Sequence, residues 1–362
     1  MRMKRFLIIA AIAFSCTIAT AQSTGSVKYT EASTLTLIGK LMDTPNPYHR
    51  IDTVKYKGFT ASENRQVRCS AGEAVLFKTN AKKIWLDVKY GAKTHSNTTM
   101  DLAERGFDLY MKKDGKWIWA GAACPNLGSE DGVIRLIDGM DGSSHECMLY
   151  LPIYCELYSL KIGVPEEASI EALESPFRHR IGIFGSSFTH GISCSRAGMA
   201  YPAQFTRHTG LQMLSIACSG NCKLQPYFAE VLKDADVDAL VFDAFSNPSA
   251  EMIEERLFPF IEKIQETHPD IPLIFQRTIY REWRNFNKGT DEREKAKAEM
   301  AEKMMKEACK KYKNVYFITP NASSDDHETT VDGTHPSDEG YRRWSVSIEK
   351  QIVRILRKYG IR

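Results

Sequence analysis

The stretch IGIFGSSFTHG at residues 181–191 joins an apolar run to a turn that is rich in glycine and serine. A short apolar run bounded by turn residues is typical of a buried β-strand. Where such a strand ends in a turn of small residues, a serine hydroxyl can lie at the edge of the sheet and face solvent. The stretch therefore predicts a buried strand over 181–184 with an accessible serine shortly after it.

Residues 178–362 repeat this pattern of apolar runs followed by helical periodicity. Strand-like runs occur at 181–184, 212–217, 238–244, 271–277 and 315–318, and the clearest helical patterns lie near 250–267, 291–313 and 338–358. The pattern at 291–313 has apolar residues at helical spacing, namely Ala296, Met300, Met304 and Ala308. Alternating strands and helices predict a parallel sheet between two helix layers, which is a three-layer α/β/α sandwich. Ligands bind at the carboxyl ends of the strands in such folds, which is where Ser187 and Asn247 are expected.

Residues 24–172 contain short strand patterns with no long helical pattern between them. The runs at 107–111 and 117–119 flank the turn KKDGK, and an Asp-Gly pair between two strands is a hairpin signal. Short strands without intervening helices predict an all-β sandwich, here jelly-roll-like. We therefore expect an N-terminal β-sandwich domain over 24–172 and an α/β domain over 178–362.

A polar cluster near the C-terminus has the residue types that a serine nucleophile needs. The segment DGTHP at 332–336 places Asp332 three residues before His335 in a turn. A serine hydroxyl needs a base to remove its proton, and a carboxylate can orient that base and stabilise its charged form. Such triads are assembled by the fold and not by sequence adjacency. The pattern favours a serine hydrolase with Ser187, His335 and Asp332 as catalytic residues.

Two other interpretations of the serine turn remain open. Ser187 could cap the helix that follows it, because serine is a favoured N-cap residue. Ser186 could be the nucleophile in place of its neighbour.

Four segments resemble, in order, the sequence blocks of the SGNH (GDSL-like) hydrolases. They are GSSFTHG at 185–191, SGN at 219–221, FSNP at 245–248 and DGTHP at 332–336. The resemblance implies a flavodoxin-like α/β/α domain with a Ser187–His335–Asp332 triad. It also implies an oxyanion hole formed by the N–H groups of Ser187 and Gly220 and the side-chain amide of Asn247.

This sequence departs from the family pattern at two places. Ser186 stands where the family usually has an aspartate, and the third block lacks the usual glycine and aspartate around Asn247. Because the first block's aspartate is not a triad member, its replacement concerns loop geometry more than chemistry. The segment SRAGMAYP at 195–202 and the β-rich N-terminal part resemble a secreted branch of the family with an N-terminal β-sandwich.

The start of the chain has the features of a secretory signal peptide. A basic MRMKR precedes an apolar run and the sequence ATA at 19–21, which predicts cleavage after Ala21. The run is too short to favour a membrane span, and residues 13–15 lack the small-residue pattern expected before a lipid-bearing Cys16. Removal of residues 1–21 takes away three cations and lowers the formal net charge from +3 to zero. A secreted or periplasmic protein without the basic excess of a nucleic-acid-binding protein is expected.

No pattern predicts a metal or a nucleotide cofactor. The histidines are scattered without metal-ligand spacing, the two cysteines Cys218 and Cys222 lack companions for zinc, and no phosphate-binding glycine motif occurs. The acidic segment at 325–328 is interpreted as a solvated loop. A disulfide among Cys194, Cys218 and Cys222 is compatible with an oxidising compartment, but its pairing stays open.

The resemblance implies a secreted esterase that removes a short acyl group, with acetyl on a carbohydrate as the expected substrate. The partner would be a small-molecule or glycan acyl ester, and the oligomeric state stays open. One alternative is hydrolysis of lipid or thioester acyl groups. Another is a carbohydrate-binding protein that has lost activity. A glycoside hydrolase is less favoured, because no pair of carboxylates across a cleft is evident.

Overall fold

The computed structural model describes residues 26–126, 131–322 and 326–362 of the chain. The predicted signal peptide and Cys16 lie outside the described residues, as does Asp325 of the acidic segment.

The N-terminal part folds mainly into antiparallel strands. Its elements are β1 (Val27–Glu31), β2 (Thr36–Ile38), α1 (Ala61–Gln66), β3 (Ala74–Thr79), β4 (Lys83–Lys93), α2 (Asp101–Glu104), β5 (Phe107–Lys113), β6 (Lys116–Ala123), β7 (Gly132–Asp138), β8 (His145–Tyr150), β9 (Cys155–Pro165) and β10 (Ile170–Ala172). One sheet has the order β1-β9-β4-β7, and the other has the order β10-β3-β8-β5-β6 with β2 paired to β3.

The two antiparallel sheets enclose a common apolar core. Leu86 of β4 and Leu160 of β9 pack in one buried cluster with Phe77 of β3 and Leu149 of β8. Face-to-face packing of inward-pointing side chains from two sheets is the arrangement of a β-sandwich, so the predicted fold of this part is confirmed. The predicted hairpin is also present: β5 pairs antiparallel with β6. Its turn residues Asp114 and Gly115 both have positive φ, 51° and 76°, as a two-residue type I′ turn requires.

The C-terminal part is built on a parallel sheet. Its elements are β11 (Ile181–Gly185), α3 (Ser187–His190), α4 (Tyr201–Thr209), β12 (Met213–Ser215), α5 (Pro226–Lys233), β13 (Ala239–Asp243), α6 (Ala250–Gln265), β14 (Leu273–Gln276), α7 (Lys288–Lys311), β15 (Val315–Ile318) and α8 (Asp338–Arg357). The strands are parallel throughout and lie in the order β12-β11-β13-β14-β15.

Helices cover both faces of this sheet, which confirms the predicted three-layer α/β/α architecture. Residues of α4 and α8 form one apolar cluster on one face, and residues of α5, α6 and α7 form another on the opposite face. The helices begin where the sequence supplies caps. Ser249 accepts a hydrogen bond from the N–H of Met252 at the start of α6, and Ser337 accepts one from Gly340 at the start of α8.

One side-chain expectation needs correction, and the question of a disulfide, which the sequence left open, is answered. In α7, Met304 and Ala308 are buried as predicted, but Ala296 is exposed, and the charged residues Glu294 and Lys297 are buried instead. No disulfide forms among Cys194, Cys218 and Cys222, because every cysteine in the described part of the chain carries a free thiol. Among the described residues, no helix has both the length and the apolar character needed to cross a membrane.

Candidate active site

Ser187 lies where β11 meets α3, at the carboxyl edge of the parallel sheet. The sequence predicted an accessible serine here, but Ser187 is buried, with 5% of its surface exposed. It is the first residue of α3, and the side chain of Ser186 before it caps the helix by accepting a hydrogen bond from the N–H of Phe188. Gly185 ends the strand, and a Cβ at this position would lie 1.9 Å from Thr189 Oγ1. Only glycine therefore allows the first turn of α3 to pack this closely on the end of β11.

His335 and Asp332 lie in the loop between β15 and α8 and reach Ser187. Ser187 Oγ is 2.9 Å from His335 Nε2, and His335 Nδ1 is 2.7 Å from Asp332 Oδ2. The structure thus brings together the three residues that the sequence placed in a triad. The carboxylate fixes the tautomer with the proton on Nδ1, which leaves Nε2 free to accept the serine proton.

The Asp332 carboxylate also organises its own loop. Its Oδ1 accepts hydrogen bonds from the backbone N–H groups of Thr334 (3.0 Å) and His335 (2.7 Å). Partial burial acts to raise the pKa of Asp332, but the hydrogen bonds from the side chain and backbone of His335 outweigh burial and lower that pKa to about 2. The group is therefore a carboxylate throughout the neutral pH range.

Trp283 covers the middle of this loop. Its indole N–H donates to the carbonyl of Asp332, and its backbone N–H donates to the carbonyl of Gly333. A Cβ at Gly333 would lie 2.5 Å from the indole ring, so glycine is required for the contact. The ring is still 57% exposed and forms an aromatic surface beside the Asp332–His335 loop.

The three hydrogen-bond donors that the sequence predicts for the oxyanion hole belong to residues that follow the carboxyl ends of β11, β12 and β13. The N–H of Ser187 belongs to the first turn of α3, where helix geometry leaves donors unpaired. Asn247 Oδ1 accepts a hydrogen bond from the N–H of Cys222 (3.2 Å), which leaves its NH₂ group available. Gly220 has a φ of +71°, and a Cβ built on it would have no atom within 4 Å, so the space around this residue is open. Within the described residues, none of these donors has an acceptor.

Asp243, which the sequence analysis did not select, organises the serine turn from below. This fully buried carboxylate at the end of β13 accepts hydrogen bonds from the N–H (3.1 Å) and hydroxyl (2.7 Å) of Ser186 and from the hydroxyl of Thr189 (3.0 Å). Burial raises the pKa of Asp243 to about 6, against the opposing effect of these bonds. The only sequence signal is an acid inside the apolar run 238–244.

A chain of buried polar side chains continues from this turn into the domain core. The Thr189 hydroxyl is 2.7 Å from the Tyr201 hydroxyl. Gln276 donates to Tyr201 (3.4 Å) and accepts from the indole N–H of Trp344 (2.8 Å). Because the buried groups satisfy one another, the network fixes the position of α3 against α4 and α8.

Other polar clusters do not coincide with this site. His95, Asp101 and Glu104 have potential metal-ligand atoms within 4.8 Å of one another. Ion pairs already account for them, because His95 pairs with Glu104 and Asp101 pairs with Arg105. A cavity of about 900 Å³ is lined by Lys40, Arg180 and other residues. It lies at the amino ends of the strands, whereas Ser187 lies at their carboxyl ends.

The β-sandwich is followed along the chain by a parallel sheet, and this sheet carries a hydrogen-bonded Ser-His-Asp array at its carboxyl edge. This combination is that of an SGNH-type esterase. A model of the GDSL-like lipase/acylhydrolase family matches residues 178–353, and a model of the N-terminus of SGNH-hydrolase-type esterases, named GxDLY, matches residues 27–170. The chain belongs to this family.

Solved structures agree with this assignment. A protein from Bacteroides ovatus named as GDSL-like lipase is 38% identical, with a TM-score of 0.88 over 92% of this chain and 98% of that one. The salicylyl-acyltransferase SsfX3 of a tetracycline biosynthetic pathway is 19% identical (TM-score 0.69, 93% and 99% covered). The acetyl xylan esterase Est2A of Butyrivibrio proteoclasticus is 11% identical (TM-score 0.56, 91% and 98% covered). These two likenesses are evidence of a shared fold. No curated protein matches the chain.

Proposed function

We propose that this protein is a secreted serine esterase that removes acetyl or similarly short acyl groups from carbohydrate. The observation that carries the proposal is the continuous hydrogen-bonded array from Ser187 through His335 to Asp332. A serine hydroxyl that is hydrogen-bonded to a correctly oriented base is the minimum requirement for acyl transfer to serine.

In the proposed mechanism, His335 Nε2 removes the proton of Ser187 Oγ as that oxygen attacks the ester carbonyl. The carbonyl π electrons move onto the carbonyl oxygen, where the N–H groups of Ser187 and Gly220 and the amide of Asn247 stabilise the negative charge. Asp332 stabilises the imidazolium without taking its proton. Collapse of the tetrahedral intermediate expels the alcohol, which receives the proton from His335, and leaves an acyl-serine.

The second half of the reaction reverses these roles with water. His335 deprotonates a water molecule that attacks the acyl-serine carbonyl, and the resulting intermediate releases the acid and regenerates the Ser187 hydroxyl. The same donors stabilise the second intermediate, since the developing charge is on the same oxygen. The reaction consumes one ester and one water and gives one alcohol and one carboxylic acid.

Two observations support a carbohydrate acyl ester as the substrate. The exposed indole of Trp283 lies over the Asp332–His335 loop, and exposed aromatic faces suit the apolar faces of sugar rings. A structural neighbour with this two-domain arrangement is an acetyl xylan esterase. Secretion is supported by the signal-peptide features of residues 1–21.

The first test is an ester-length series with the chain that begins at Gln22. We expect turnover of p-nitrophenyl acetate that falls for the butyrate and octanoate esters, and none for Ser187→Ala. Acetate release from acetylated glycans would then identify the carbohydrate. A thioester or long-chain ester that is hydrolysed faster than the acetate would instead favour the lipid or thioester alternative. A folded wild type that hydrolyses no ester and is not labelled by a fluorophosphonate would refute the esterase proposal.

A further inference from the structure

A glutamine from the N-terminal part of the chain contacts the loop that carries Gly220. Gln66, the last residue of α1, accepts a hydrogen bond on Oε1 from the backbone N–H of Ser219 (2.5 Å). Its Nε2 donates to the backbone carbonyl of the same residue (3.0 Å). One side-chain amide thus binds both polar backbone groups of the residue directly before Gly220.

The second of these bonds determines where the Gly220 N–H points. The carbonyl of Ser219 and the N–H of Gly220 are two ends of one planar trans peptide unit, and they point in opposite directions. A donor that holds the carbonyl on one side therefore holds the N–H on the other side, away from Gln66.

Within the loop, the side-chain amide of Asn221 also donates to the Ser219 carbonyl (2.8 Å), and Gln66 adds a restraint on this peptide from outside the loop. Gly220 is exposed, has a φ of +71°, and has no neighbouring atom within 4 Å of where a Cβ would lie. Glycine adopts positive and negative φ about equally readily, so an unclamped Ser219–Gly220 peptide can rotate. Rotation would turn the N–H away from the oxygen that it has to stabilise.

Gln66 is itself held rigidly. Its side chain is 6% exposed and its carbonyl accepts a hydrogen bond from Arg50 Nη2. The other nitrogens of this fully buried guanidinium donate to the carbonyls of Cys69 (2.6 Å) and Ala217 (2.9 Å). Arg50 therefore ties the end of α1 to the same loop, two residues before Ser219.

The opposite end of α1 is anchored to the α/β domain by a different contact. Thr60 and Glu63 form a capping box at its start. The Glu63 carboxylate also accepts hydrogen bonds from Tyr227 (2.9 Å) and Gln225 (2.9 Å), at the start of α5. These contacts hold α1 in place without touching Ser219.

We propose that Gln66 is a positioning residue of the esterase site, which aligns the Gly220 N–H with the oxyanion through the Ser219 peptide. The N-terminal part of the chain would then complete the active site as well as pack against it. This inference rests on the proposed function, because it assigns Gly220 to the oxyanion hole.

The decisive comparison is Gln66→Glu against Gln66→Met and Tyr227→Phe, each measured with p-nitrophenyl acetate and by thermal unfolding. A carboxylate at position 66 keeps the shape of the glutamine side chain and still accepts a hydrogen bond from the Ser219 N–H. Its second oxygen faces the Ser219 carbonyl but has no proton to donate. Methionine fills similar space and binds neither group. Tyr227→Phe loosens α1 without changing the contacts of Ser219.

We expect kcat to fall about 10- to 100-fold for both Gln66 variants, with KM within about two-fold of wild type, because misdirected donors weaken transition-state binding. Tyr227→Phe should keep its kcat at permissive temperature even if it melts earlier. The ratio of Gln66→Glu to wild-type activity should rise as the pH falls, since a protonated carboxyl can again donate to the Ser219 carbonyl.

Three outcomes would count against the inference. If both Gln66 variants keep the wild-type kcat and only melt earlier, as Tyr227→Phe does, Gln66 has a structural role alone. If the Gln66→Glu ratio is independent of pH, the bond to the Ser219 carbonyl is not what matters. A wild type without turnover or fluorophosphonate labelling would overturn the proposed function itself, and this inference with it.

Discussion

Asp108 of the β-sandwich and Arg196 of the α/β domain form a partly buried ion pair, with 2.7 Å between Asp108 Oδ2 and Arg196 Nη1; the aspartate side chain is fully buried and the arginine side chain is 20% exposed. Asp108 also accepts hydrogen bonds from the N–H of Gly198 (2.9 Å) and the indole of Trp119 (3.0 Å). Asp108 belongs to the segment GFDLY at 106–110, which fits the pattern GxDLY that names the family model matched by the N-terminal part. Burial raises the pKa of Asp108 despite the nearby guanidinium of Arg196.

Asp108→Asn should destabilise the protein by about 2 to 3 kcal/mol, because it leaves the largely buried guanidinium of Arg196 without its compensating charge. Urea denaturation would measure the change in the free energy of unfolding. Asp101→Asn is the matched control, since its ion pair with Arg105 leaves the aspartate side chain 37% exposed; it should cost less than about 1 kcal/mol. Equal losses of unfolding free energy in the two variants would show that the Asp108–Arg196 pair stabilises the protein no more than an exposed ion pair does.

Glu73 predicts a dependence of stability on pH. The residue is fully buried, and neither carboxyl oxygen has a hydrogen-bond partner among the described residues. Burial raises the pKa of Glu73 to about 7, although Lys40 and Arg50 act to lower it. The folded state therefore binds more protons than the unfolded state between the ordinary carboxyl pKa and about 7. The contribution of Glu73 to the free energy of unfolding is therefore fully present below that pH window, and it is lost as the pH rises through the window.

Glu73→Gln should remove this part of the pH dependence. Relative to wild type, the variant should gain on the order of 3 kcal/mol between pH 5 and pH 8, since each unit of pKa shift corresponds to about 1.4 kcal/mol. The glutamine amide at position 73 would also lack a hydrogen-bond partner, and this cost is the same at every pH. The test is therefore how the difference in unfolding free energy changes with pH, and not its value at one pH. Unfolding free energies at several pH values would provide the test, and parallel wild-type and variant curves would argue against an ionisable Glu73.

The sequence predicted those features that depend on local patterns. Buried strands such as β11 and β13 are nearly continuous apolar runs, and the helical patterns near 250–267 and 338–358 correspond to α6 and α8. The sequence blocks also selected Ser187, His335 and Asp332, which the structure brings together.

The supporting residues were not predicted because their roles depend on distant contacts. Gln66 binds a residue 153 positions away, and Asp243 binds one 57 positions away. In α7, Lys297 is buried because its Nζ donates to the carbonyl of Ser246 (3.1 Å), next to Asn247. Helical periodicity predicts an exposed position for a lysine and has no means of detecting such a partner.

The two serines of the turn should differ sharply on substitution. Ser187→Ala should lose turnover and fluorophosphonate labelling, because the alanine side chain cannot attack a carbonyl. Ser186→Ala should keep most of the activity but lose about 1 kcal/mol of stability, since it removes the cap of α3 and a hydrogen bond to Asp243. Labelling followed by peptide mapping would identify the nucleophile. Modification at Ser186, or equal loss of activity in both variants, would contradict the assignment.

The last prediction concerns one of the two places at which this chain departs from the family pattern. Ser186 stands in place of the usual aspartate, and a carboxylate is supplied from the neighbouring strand by Asp243, 2.7 Å from the Ser186 hydroxyl. In this chain the carboxylate at the serine turn thus comes from the end of β13. Restoring the family residue alone, by Ser186→Asp, would place two carboxylates in one fully buried site. One of them would have to bind a proton or be displaced.

Ser186→Asp should therefore destabilise the protein and reduce turnover, although it restores the family sequence. Asp243→Ser should also destabilise it, since the hydroxyls of Ser186 and Thr189 would lose their shared acceptor. The double variant Ser186→Asp/Asp243→Ser again pairs one carboxylate with one hydroxyl. It should be more stable than the sum of the single effects predicts, by about 1 to 3 kcal/mol. A double-mutant cycle of unfolding free energies and kcat would measure this coupling. Strict additivity would mean that the two positions act independently, and that the aspartate at 243 does not compensate for the serine at 186.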